Sequence, residues 1–104
     1  MPFKGAWILM IPDSDPKEHN ASIQTGKYEA TIVCVRDTDE AVEICRDLVQ
    51  NHGIQSVSLC PAFTHADVCR VVASIPGTPI NICRSDGPSM FAEFAAMKKI
   101  GWFD

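Results

Sequence analysis

Apolar residues along this chain fall into short unbroken blocks and into longer stretches at helical spacing. Ala6-Trp7-Ile8-Leu9-Met10-Ile11 is apolar throughout and closed by Pro12. A run so short that never alternates predicts a strand buried on both faces. Tyr28 to Val35 is β-branched and mostly apolar, which predicts a second buried strand. Ile54 to Cys60 alternates, with Val57 and Leu59 on one face and Ser56, Ser58 and Cys60 on the other. Small residues on that second face would let a helix approach closely. Pro79 to Cys83 predicts a short fourth strand, and Asn81 in its middle marks an edge position.

Between these strands lie helical signals. Asp15 before Pro16, with Glu18 following, has the form of a helix start, so a short helix is expected from Pro16 to about Gln24, ended by Gly26. Its Ala21 and Ile23 leave it little to bury. Asp37 to His52 is the clearest element: Ala41, Cys45, Leu48, Val49 and His52 recur at helical spacing, Asp37 or Thr38 caps it, and Gly53 stands at the left-handed C′ position. Thr64 caps a third helix running to Ser74, with Asp67 as the acid of a capping box. Ser89 to Ile100 predicts a last helix, with Met90, Phe91, Phe94 and Met97 on its buried side and Lys98 and Lys99 at the negative end of its dipole.

Strands separated by helices imply right-handed crossovers and a parallel sheet. The expected fold is therefore α/β: a small four-stranded, mainly parallel sheet of spatial order 2-1-3-4, with helices on both faces. The alternative is a ferredoxin-like α+β split, which requires a loop after Pro12 and an antiparallel second strand.

Composition narrows the class. The 104 residues suit one domain, and 46% hydrophobic with 21% charged residues is ordinary globular usage. A formal net charge of −4 argues against nucleic acid and anionic membranes as partners, because both call for a cationic surface. The apolar run near the N-terminus is too short for a signal-peptide core or a membrane span, so a cytoplasmic location is expected. The five cysteines, Cys34, Cys45, Cys60, Cys69 and Cys83, are odd in number and contain no Cys-x-x-Cys, which fits free thiols in a reducing compartment.

In open parallel sheets ligands bind beyond the carboxyl ends of the strands, near the point where the strand order reverses. That rule selects Pro12–Asp15, Arg36–Thr38, Pro61–His65 and Arg84–Gly87. Two of these approach helix N-termini, and Arg84 adds a fixed positive charge, so a small anionic molecule is the ligand class suggested. The structural counterpart is Arg84 paired with Asp86 in a closing turn. Cys60, at a strand end before a helix and five residues from His65, is either an activated thiol or a small buried hydrophobe. His19 is either an acid–base group near the ligand or a locally bonded histidine. Cys34, Cys60, Cys83 and His65 would make a soft-metal site only if their side chains shared one face, and none is expected; nor is a cofactor. Ala66 stands where a tyrosine phosphatase needs its arginine, and the glycines form no phosphate loop. Met1-Pro2 raises a tautomerase-like proline base, but the acidic, irregular Asp13–Lys27 segment departs from that pattern.

The segments Asp15-Pro16-x-x-His19, Thr31-Ile-Val-Cys-Val35, Leu59-Cys60-x-x-Phe63 and Arg84-x-Asp86-Gly87 resemble those of a family of small bacterial proteins of unknown function. The resemblance runs from about Trp7 to Gly87. This chain departs from it by Pro61-Ala62 in place of two glycines and Ser85 in place of a phenylalanine. The resemblance implies that His19, Cys60, Arg84 and Asp86 occupy motif positions, and it implies no activity.

Two functions follow as expectations. The first is a binding module or small enzyme, with His19, Cys60, His65, Arg84 and Asp86 around an anionic metabolite at the strand ends. The second is a non-catalytic oligomer, a dimer foremost, acting through partner contacts. The second draws on Trp102 and Phe103, two large aromatics that follow a helix already ended and must either fold back or enter a neighbour's interface.

Overall fold

The structure is a computed structural model describing residues 1–104. Its elements in chain order are β1 (Phe3–Met10), β2 (Asn20–Gln24), β3 (Tyr28–Val35), α1 (Thr38–His52), β4 (Ser56–Leu59), α2 (His65–Ser74), β5 (Ile80–Ile82) and α3 (Gly87–Lys99). They form one five-stranded sheet of order β2-β3-β1-β4-β5. The four expected strands stand in the expected order and are parallel to their neighbours. Because β3 runs parallel to β1, the antiparallel second strand that the ferredoxin-like alternative required is not present.

The fifth strand is the correction. Where a short helix was expected after Pro16, the chain makes a single turn and then enters β2, antiparallel to β3. Asp15 does start that turn: its carboxylate accepts from the Lys17 N–H at 3.0 Å and its carbonyl from the His19 N–H at 2.7 Å. Asn20 then closes it, its side-chain amide donating to the Pro16 and Lys17 carbonyls. Beyond it, Asn20-Ala-Ser-Ile-Gln24 alternates with period two, so a hairpin through Thr25–Lys27 onto β3 satisfies its backbone better than a helix with two apolar residues.

The helices start and stop where their caps dictate. Asp37 accepts from the Glu40 N–H at 2.9 Å, and Gly53 ends α1 in the left-handed conformation, φ 69°. At α2, Thr64 and Asp67 exchange both bonds of the capping box, at 3.1 and 2.9 Å.

Connections from β3 to β4 and from β4 to β5 travel in the same direction across the sheet, so right-handed crossovers put α1 and α2 on the same face. Under them lies the core: Ala6 and Ile8 of β1, Val33 and Val35 of β3, and Val57 and Leu59 of β4 meet Ala41, Cys45 and Leu48 of α1 and Val68 and Val71 of α2. Burial there pushes the Cys45 thiol up to about 12, a packing residue rather than a reactive one.

The connection from β1 to β3 alone runs the other way, and in a doubly wound sheet it would carry the helix for the second face. Here it carries β2 instead. The expectation of helices on both faces therefore fails within the chain. α3 does not supply the missing cover either: none of its residues is buried.

Candidate functional site

The residues singled out at the strand ends are spent on holding their own loops. Arg84 follows β5 and reaches back across the sheet end, its Nη1 donating to the carbonyls of Pro61 (2.9 Å) and Phe63 (2.7 Å). It clamps the turn between β4 and α2. The ion pairs of the chain are Lys4–Glu29, Arg36–Glu40, His52–Asp47 and Arg70–Asp39, so Arg84 is not paired with Asp86. Asp86 sits at the N-cap of α3 with no side-chain bond to the helix. Nδ1 of His19 accepts from the Asp15 N–H at 2.8 Å, which places the proton of the neutral ring on Nε2. Cys60 lies just past β4, half-buried, and its Sγ accepts from the Met10 N–H at 3.3 Å, tying the ends of the two central strands together. His65 opens α2 and is exposed.

The starts of α1 and α2 are also held by the chain's own acids, whereas that of α3 has no side-chain cap. Hydrogen bonds from Arg36 hold the Glu40 carboxyl below its usual range, and the Thr64 N–H does the same for Asp67. Because both folded values are lowered, the stability they lend is present above the ordinary carboxyl range, near pH 4, and is lost on further acidification through the folded values. At α1 and α2 an incoming anion would have to displace these carboxylates. Nor do three of the His, Cys, Asp and Glu side chains converge as metal ligands would. A cleft of about 340 Å³ lies elsewhere, on the α1 side of the β2–β3 edge, lined by Lys4, Asn20, Glu29, Thr31, Leu48 and His52 among others.

One prediction follows for Arg84. Arg84→Ala is expected to lower unfolding free energy by about 1–2 kcal/mol, since two carbonyls lose a charged donor at a partly solvated site. A urea titration reads it, and an unchanged midpoint would show that Arg84 is free to serve a ligand instead.

The sheet's second face is the more distinctive surface. Register pairs Phe3 with Tyr28, Trp7 with Ile32 and Leu9 with Cys34, and sets Ile23 of β2 against Ala30. These residues alternate with the core positions and so share the face opposite α1 and α2. Phe3 stacks on Tyr28 with ring centroids 5.8 Å apart, and the Trp7 indole N–H donates to the Tyr28 hydroxyl at 3.3 Å. The Tyr28 ring lies over Gly5, where a Cβ would meet its hydroxyl oxygen at 2.4 Å. Trp7 is nonetheless 40% exposed, Phe3 49% and Ile23 65%. A contiguous apolar face across three strands is thus left open to solvent, whereas scattered single hydrophobes would be unremarked.

A second uncovered apolar element is α3. α3 carries only Glu93, Lys98 and Lys99 as charged residues, and Phe91, Phe94 and Met90 are all exposed. The tail turns back on this helix: the Trp102 N–H donates to the Met97 carbonyl, and the Phe103 ring meets Phe94 edge-on at 5.8 Å. Gly101, with φ 77°, makes that reversal.

Residues 3–96 match the model of a family of unknown function. The chain belongs to the DUF6506 family. No curated protein and no solved structure matches it. Family membership covers both the strand-end motifs and the open sheet face, and brings no role for either.

The residues that reading by motif passed over are those of the open face, Phe3, Trp7, Leu9, Tyr28 and Ile32. Their signal was in the sequence: both phases of β1 are apolar, the mark of a strand covered on both sides.

Proposed function

We propose that this DUF6506 protein works by contact and not by catalysis: it is a homo-oligomeric assembly module, a dimer foremost, whose working surface is the open apolar face of the sheet. The observation that carries this reading is the row Phe3, Trp7, Leu9, Tyr28 and Ile32 on a face that no helix of its own chain covers. Aromatic residues with a polar tip, as in Trp7 and Tyr28, are enriched in such interfaces. The strand-end crevice offers a small anion less, because Arg84, Glu40 and Asp67 already satisfy backbone groups of the chain there. Neither nucleic acid nor membrane suits an acidic chain with an uncharged contact face, and no helix is long and apolar enough to cross a membrane.

Light scattering on the purified chain across a dilution series tests the proposal. The expected mass is twice 11.4 kDa, falling only at high dilution. A mass of 11.4 kDa at every concentration would overturn it.

A further inference from the structure

We infer that the cover of the open sheet face is α3 of a second copy, and that two chains exchange these helices reciprocally about a two-fold axis. The inference rests on the reading above and names its partner.

Three observations carry it. First, α3 is apolar nearly all round yet buries nothing, and helices of that composition belong in a core. Second, the two unpartnered surfaces of one chain fit one another. A 13-residue helix is about 20 Å long and about 10 Å wide, so it spans two strands spaced about 4.8 Å apart. The apolar part of the open face is chiefly β1 and β3, whereas β4 and β5 present Ser56, Ser58 and Asn81.

Third, the exposed area is that of half an assembly. The chain exposes 6792 Å², where a folded monomer of this mass exposes roughly 5,800 Å². The surplus of about 1,000 Å² compares with about 800 Å² given up by each partner in a standard interface. The same elongation is seen in the radius of gyration, 14.2 Å, and extents of 43 × 29 × 27 Å, against about 13 Å for a compact chain of this length. Reciprocal exchange closes the assembly at two copies, since each chain gives one helix and receives one. It also restores the helix that the β1-to-β3 connection fails to provide.

Disulfide trapping tests this with a thiol already in place. Cys34 lies on the open face beside Leu9, and Phe94 is an exposed α3 position. The full chain carrying Phe94→Cys, with Cys60→Ser, Cys69→Ser and Cys83→Ser to silence the other accessible thiols, is oxidised with copper phenanthroline and mapped by mass spectrometry. The expected product is a covalent dimer joined Cys34 to residue 94 between chains, established by mixing isotopically light and heavy protein. The same bond found only within one chain would overturn the exchange and show the helix folding back. A dimer joined Cys34 to Cys34, with residue 94 free, would also overturn it while leaving the contact function standing, because the faces would then pair directly. A monomeric, uncrosslinked protein would overturn both.

Discussion

Replacing Phe63 by alanine is expected to remove about 3–5 kcal/mol of unfolding free energy, the usual cost of emptying a phenylalanine site in a core. Phe63 is fully buried although it lies in a turn and not in a helix or strand. Its ring anchors the β4–α2 turn to the core cluster, and its carbonyl receives one of the two Arg84 bonds. The loss therefore couples packing to the clamp at the sheet end. In a domain of this size each kcal/mol is worth about 4–8 °C of melting temperature, so a fall of at least roughly 12 °C is anticipated. Thermal and urea unfolding followed by circular dichroism measure it. A loss under about 1 kcal/mol would mean the ring does not fill the site described.

The second large effect concerns the open face. The paired substitution Trp7→Lys with Ile32→Glu should weaken self-association by roughly 100-fold or more, as loss of a central aromatic anchor alone commonly costs about 2 kcal/mol or more. The two positions are register neighbours on adjacent strands, so the new charges face each other across the sheet and the chain keeps its fold. Far-UV circular dichroism should stay unchanged while the mass from light scattering drops to that of one chain. A retained dimer with both charges in place would show that association uses another surface.

Much of the fold was legible because its signals are local. Asp37, Gly53 and the Thr64–Asp67 box fix helix ends within a few residues, and strands alternating with the helices so placed imply parallel neighbours. β2 was not legible in that way. Asp15-Pro16 and Glu18 form a true start signal, but it governs one turn; the strand that follows depends on pairing with β3, a tertiary partner outside any local window. That single difference removes the helix expected on the second face.

The candidate site divides similarly. Cys60, Arg84 and the end of β1 lie at one end of the sheet, where the Arg84 and Cys60 bonds join them. What those groups bond to depends on loop geometry, which spacing does not encode. The apolar face was in plain view in the Ala6–Ile11 run, but a pattern demanding cover on both faces does not say which chain provides it.

Tryptophan fluorescence of the Trp102→Phe variant tests the central claim most directly, because Trp7 then reports alone from the middle of the open face. The account predicts blue-shifted emission with weak acrylamide quenching at concentrations where the assembly holds, and a red shift with stronger quenching on dilution. Red-shifted, readily quenched emission at every concentration would place Trp7 in water and contradict the claim that this face is covered in the working protein.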